Sequence, residues 1–240
     1  MRREFEDMGG MEYRTKQHWK PEELSSLILF KMKEMAETHL GSLVKDAVLT
    51  VPAHFNISQR LATREAGLLA GFNVIGILEE RVAAAIAYGL DKEDSTKGDL
   101  LILCQGNGSV EVSIMSNENH VLRVRSTTVD KIREEEGTKE MIEEMFLDPI
   151  KRVMKEVETD QENITDLIIV GLFIKIPSEV VQKLLKNFFP GSKLHCSINP
   201  EEVLATGAAI VASRLTAGNT NVASEDEGGA AAVQDPSLSL

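Results

Sequence analysis

The sequence predicts an α/β domain in which strands and helices alternate and strands pair in parallel. Three observations carry this. Ala47–Val51 (AVLTV) is a short apolar, β-branched run stopped by Pro52, the pattern of a buried strand. Ile57–Ala70 places Ala62, Ala66, Leu69 and Ala70 on one helical face. A second strand, Phe72–Leu78, and a second helix, Glu80–Tyr88 closed by Gly89, follow directly. Strand, helix, strand, helix is the order that builds layered α/β architectures.

The remaining elements extend the same pattern. Pro21 stands at a helix start, Leu24, Leu27, Ile28, Met32, Met35 and Ala36 recur at helical spacing, and Gly41 supplies the stop. Asn56 or Ser58 serves as cap for the helix after the first strand. Asp99–Leu103 and Ser109–Met115 read as two strands around a tight turn, Gly106–Asn107–Gly108, with His120–Ser126 as a third antiparallel partner. Lys131–Glu158 is charged, yet Ile142, Met145, Phe146, Ile150, Val153, Met154 and Val157 are spaced as a helix face. Leu167–Val170 reads as a buried strand. Ser178–Phe188 and Pro200–Leu215 read as helices, with Pro200 in the first turn.

Composition divides the chain into three parts. Residues 1–20 are polar and without period. Residues 21–215 form the domain. Residues 216–240 are rich in Ala, Gly, Ser and acid, a composition that buries little apolar surface and is expected to be disordered. With 42% apolar residues in 240, a sizeable core is available. The net charge of −12 argues against nucleic acid or an anionic membrane as partner. It leaves a nucleotide open, because phosphate sites are built locally from glycine loops and helix N-termini. The two cysteines, Cys104 and Cys196, lie in no metal-binding spacing, so no metal site is expected and both read as small buried hydrophobes. No apolar leader and no run long enough to span a membrane is seen, which points to a cytoplasmic chain, with the nucleus as alternative.

Several segments resemble the ATPase domain of the 70-kDa heat-shock (DnaK-type) chaperones. VLTVPAHFNISQRLATREAGLLAGFNVIGILEERVAAAIAYGLDK (Val48–Lys92) is nearly continuous with that family's most specific stretch. PEELSSLILFKMKEMAETHLG (Pro21–Gly41) resembles the preceding helix. DPIKRVMKEV, LIIVGLFIKIP and SINPEEVLATGAAIVA resemble the last third, in the right order. Together they cover most of the chain. The resemblance implies an actin-like (ribonuclease H-like) ATPase fold, here incomplete. Nothing in Met1–Lys20 matches the family's first phosphate loop, and only Val129–Met145 spans the interval where the family carries a further lobe.

The resemblance also assigns roles. Glu80 falls at the position of the family's catalytic glutamate, with Arg81 where proline is expected; a first-turn glutamate facing the helix dipole accounts for it equally. The second phosphate loop reads Cys104–Gln105–Gly106–Asn107–Gly108–Ser109. Its glycines and hydroxyl persist at Gly106, Gly108 and Ser109, but Cys104 replaces the aspartate and offers magnesium no hard oxygen ligand. Gly106 and Gly108 also fit a simple hairpin turn. The adenosine loop reads Gly171–Leu172–Phe173–Ile174–Lys175, where lysine replaces an arginine that stacks on adenine. Gly207 keeps the family pattern, and a small-residue helix packing site explains it equally well. Pro52 and Arg60 align with the family's interdomain relay; a strand-ending proline and a solvated helix arginine account for them at least equally.

The implied function is that of a chaperone ATPase domain binding ATP or ADP with magnesium and assisting protein folding, with hydrolysis impaired or lost. The alternatives are a non-catalytic module that engages co-chaperones or a full-length chaperone, and a degenerate paralogue. Lost lobes expose apolar surface, so an oligomer or a partner chain is expected to cover it.

Overall fold

A computed structural model describes residues 19–92, 98–106, 108–118, 121–132, 139–171 and 178–219. Helix α1 (Pro21–Leu40) opens with the Glu23 carboxylate accepting from the Lys20 N–H and ends at Gly41 in the left-handed region, φ 65°. Strand β1 (Asp46–Val51), helix α2 (Ile57–Leu69), strand β2 (Asn73–Glu79) and helix α3 (Glu80–Ala87) follow. Asn56, not Ser58, caps α2: its Oδ1 accepts from the Gln59 N–H, and Gln59 returns the bond.

β1 and β2 form a two-stranded parallel sheet. Leu49 faces α2 beside Gly67, while Val48 and Leu78 join α3 and the last helix in a small core. This is the strand–helix–strand unit read from the sequence.

The larger sheet has the order β5-β4-β3-β6-β7, with β3 (Asp99–Gly106), β4 (Ser109–Glu118), β5 (Val121–Lys131), β6 (Ile164–Gly171) and β7 (Lys193–His195). β3, β4 and β5 are antiparallel; β6 and β7 join in parallel. Helices α4 (Lys139–Glu156) and α5 (Ser178–Phe188) cover one face. There Leu101, Leu103, Val112 and Leu167 meet Phe146, Ile150 and Leu185. α3 and α6 (Val203–Asn219) cover the other, where Leu100, Ile102, Cys104, Ile168 and Val170 meet Ala84, Ala85 and Val203. Alternation along β3 therefore decides the site: Cys104 is sent to the α3 face and Leu103 to the α4 face.

This is a mixed α/β architecture, as expected. Some boundaries differ. β5 continues through Lys131, because its pairing with β4 persists to Ser109, so the stretch begun at Lys131 is strand before it is helix. α6 starts at Val203 rather than Pro200: Asn199 accepts from the Glu201 N–H through Oδ1 and from the Glu202 and Val203 N–H groups through its carbonyl, closing a turn ahead of the helix. α6 then runs to Asn219, past the composition change at Thr216. β7 had no sequence signal. Cys104 is buried as expected, but Cys196 is exposed.

Candidate functional site

The site forms where the start of α3 meets the polar row of the large sheet. Alternation puts Glu111 and Ser113 of β4 on the same face as Cys104, which is Glu111's register partner on β3. Ser113 pairs with Thr127 of β5, and their hydroxyls lie 3.0 Å apart. Facing this row are Glu79, Glu80 and Arg81, at the junction of β2 and α3.

Arg81 is buried and fully engaged. Nε and Nη2 reach Glu79 Oε2 at 2.9 and 2.6 Å, and Nη1 donates to Thr127 Oγ1. The other Glu79 oxygen takes Arg60 Nη2 at 2.7 Å. Arg60 in turn donates to the carbonyls of Phe55 and Ala53, at 3.0 and 3.2 Å. Pro52 supplies the carbonyl that accepts from the Phe55 N–H and closes that loop. Pro52 and Arg60 thus meet through one turn after β1, and a Glu79-centred pair of arginines connects it to α3.

Glu80 is half-buried beside this network. Burial pushes its carboxyl above the ordinary range, the Glu111 carboxylate pushes the same way, and His54 opposes them. His54 Nδ1 lies 3.3 Å from Glu111 Oε2, while Glu111 Oε1 is buried with no hydrogen-bond partner. Burial drives the Cys104 thiol well above its ordinary pKa, with Glu111 and Glu80 adding and Arg81 opposing, so it stays a neutral thiol. Local sequence pattern carries no signal for His54 or Glu111, and marks Arg81 only as the residue in place of a proline. Arg81 is Glu80's neighbour in the chain, whereas the loop after β1 and strand β4 bring His54 and Glu111 to it only in the folded protein.

The glycines divide. Gly108 has φ 78°, and the Ser109 hydroxyl donates to the Gly106 carbonyl at 3.0 Å, so Gly106, Gly108 and Ser109 make the hairpin turn between β3 and β4. Around Gly106 and Gly108 a side-chain carbon meets nothing within 4 Å, which leaves space over the turn. Gly171, at φ 115°, is different: an added Cβ falls 1.7 Å from the Gln105 carbonyl oxygen. Gly207 is close-packed against α3, its Cβ position 1.9 Å from the Ala83 oxygen. Strand and helix packing therefore account for both. Lys175, with Leu172–Ile174 of the same loop, lies outside the described residues, as does Asn107.

The donor set does not fit magnesium at Cys104, since a neutral buried thiol is a poor partner for a hard cation. Among the described residues no group of three His, Cys, Asp or Glu side chains is arranged to hold a metal ion. No helix among them is long and apolar enough to cross a membrane. A separate groove of about 590 Å³ lies between the end of β5 and α4, lined by Asp130, Lys131, Glu144, Met145 and Arg152 among others.

The mixed α/β sheet fits the actin-like ATPase fold of the family whose model matches this chain. The Hsp70 protein family model matches residues 3–134 and 133–226, and the chain belongs to that family. It is similar to heat shock 70 kDa protein 2 of Paracoccidioides lutzii, 33% identical over 273 residues, covering 84% of this chain and 41% of that protein. It is similar also to a heat shock 70 kDa protein of Ajellomyces capsulatus, 32% identical, covering 86% and 39%. Heat shock cognate 70 kDa protein 3 of Dictyostelium discoideum is 32% identical, covering 85% and 44%. The chain spans about two-fifths of the length of these relatives. The first alignment, 273 positions, is longer than the whole 240-residue chain, so the relatives carry residues inside the matched region that have no counterpart here. The two matched stretches meet at residues 133–134.

Proposed function

We propose that this chain is a chaperone-related Hsp70 module whose ATP hydrolysis is impaired or lost. The buried neutral thiol of Cys104, facing Glu80 and Glu111, carries this reading. Phosphoryl transfer in this class of fold needs charge placed by a metal and its carboxylates. Here Glu80 lies near a thiol, an unpartnered carboxylate oxygen and an arginine already committed to Glu79 and Thr127. The open turn at Gly106–Gly108 supports retained contact with the phosphates of ATP or ADP; the packing roles of Gly171 and Gly207 remove two arguments for an adenosine site.

The test is phosphate release from Mg-ATP by the 240-residue chain beside its Glu80→Gln form, with thermal unfolding of both in Mg-ATP and Mg-ADP. Release at background in both is expected. Turnover that disappears with Glu80→Gln overturns the proposal. A nucleotide at about 100 times its dissociation constant adds about 2.7 kcal/mol, which separates binding from catalysis.

A second reading, a non-catalytic module that engages co-chaperones or a full-length chaperone, is favoured by Arg60. Its three bonds fix the loop ahead of α2 and so hold the outer surface of α2, where Ile57, Leu61 and Leu68 are exposed. Loss of co-chaperone binding on Arg64→Glu, with the fold intact, supports it; unchanged binding removes it.

A further inference from the structure

Helix α1 is built inside out. The side it turns inward carries Ser26, Leu29, Lys33, Ala36 and Glu37. Lys33 Nζ bonds the Gly71 carbonyl at 2.5 Å and lies over the Phe72 ring, and Glu37 accepts from the Val44 N–H. The other side carries Leu24, Leu27, Ile28, Met32 and Met35, which are 50–65% exposed. No residue of the helix is buried. A surface helix ordinarily shows the reverse arrangement, with its apolar stripe toward the core.

We infer that this stripe is the interface of a two-fold dimer, in which α1 packs antiparallel against α1 of a second copy. Three features favour a second copy over other occupants. The stripe is nearly palindromic: antiparallel pairing about the Leu29–Phe30 midpoint sets Leu24 against Met35 and Leu27 against Met32, as an isologous contact requires. Trp19 before the helix then meets Leu40 and Leu43 after it, and these are also exposed, at 48%, 63% and 76%. The area is right: eight such side chains at roughly 100 Å² each, half of a large apolar residue, give about the 800 Å² per partner of a standard interface. Finally, the stripe contains no acidic residue although the chain carries −12 overall. The cation near its centre, Lys31, leans to Glu34 at 3.1 Å rather than across the stripe. The 20-residue helix is about 30 Å long, enough to span such a patch.

Sedimentation equilibrium of the full chain over a micromolar series tests this, read against twice the 26.4 kDa monomer mass. The native chain is expected to approach the dimer mass, with emission of Trp19, its one tryptophan, moving to the blue as concentration rises. Ile28→Glu with Met35→Glu is expected to hold the monomer mass with an unchanged far-ultraviolet spectrum, since both side chains are exposed. Should that pair unfold, the single Leu27→Gln must still weaken the dimer at least tenfold. Val180→Glu, exposed on α5, must leave the dimer unchanged. A native chain monomeric throughout, an assembly larger than a dimer, or a dimer that survives the α1 substitutions overturns the inference.

Discussion

The His54 imidazole lies 3.3 Å from the buried carboxylate of Glu111, joining the loop after β1 to strand β4 of the large sheet. Glu80 feels both groups in opposite senses, repelled as an anion by Glu111 and stabilised as one by His54. Glu111→Gln is therefore expected to bring the Glu80 pKa down toward 4.5, and His54→Ala to raise it further. Side-chain carboxyl NMR titration reads both shifts. The linkage sign follows. A carboxyl whose pKa is raised on folding binds its proton more tightly in the fold, so stability falls as pH rises from about 4.5 through the folded pKa. Glu80→Gln removes that loss: its unfolding midpoint is expected above native at neutral pH and level with it in acid.

Cys104 gives a second test of the same pocket. Restoring an aspartate there places a third carboxylate against Glu111 and Glu80 in a buried setting. Cys104→Asp is expected to cost about 3–5 kcal/mol at neutral pH, the range for an uncompensated buried charge, and to recover as pH falls. Magnesium is expected to raise the midpoint of this variant and not of the native chain, because clustered carboxylates are what a hard divalent cation neutralises. Equal midpoint shifts in the two proteins contradict the assignment of Cys104 as the break in the site.

Much of the framework is legible in the sequence because it is written in local periods. The β-branched run before Pro52, the alanine face of α2 and the apolar β3 and β6 each declare their element without reference to a neighbour. The site is less legible. Arg81 pairs with Thr127 across 46 positions and His54 with Glu111 across 57, and no local period encodes such meetings. β7 is three residues long, too short for alternation to register. The spacing of α1 is read correctly as helical, yet its apolar face points outward, since periodicity states that a stripe exists and not what covers it.

The glycines separate packing from ligand approach. Gly171→Ala and Gly207→Ala drive a methyl into backbone, at 1.7 Å from the Gln105 oxygen and 1.9 Å from the Ala83 oxygen. Each is expected to cost about 3 kcal/mol, as overpacking against an immovable neighbour does. Gly106→Ala meets nothing within 4 Å and is expected to stay within about 0.5 kcal/mol of native. Denaturant midpoints at constant m-value measure all three. If Gly106→Ala nonetheless abolishes a nucleotide-induced midpoint shift, the turn itself contacts the ligand.

The buried pair Asp166–His195 contributes to the acid limb of stability. His195 Nε2 lies 2.6 Å from Asp166 Oδ1, and the Thr165 hydroxyl donates to Oδ2 at 2.8 Å. Burial alone pushes the Asp166 carboxyl up, but these two bonds, with the charges of His195 and Lys193, outweigh it and hold the pKa below 3.8. The stability this supplies is complete above 3.8 and is lost as pH falls through the lower folded value. Asp166→Asn keeps the shape and removes the charge. It is expected to cost about 1.5–3 kcal/mol at neutral pH, the range of a charge-assisted hydrogen bond. Because the substituted side chain no longer titrates, its penalty must shrink as the native carboxyl protonates. Urea unfolding of both proteins across the acid range should show the two curves converging below the native pKa. Curves that stay parallel into strong acid assign the cost to packing around Tyr88 and His195 instead of to the ion pair.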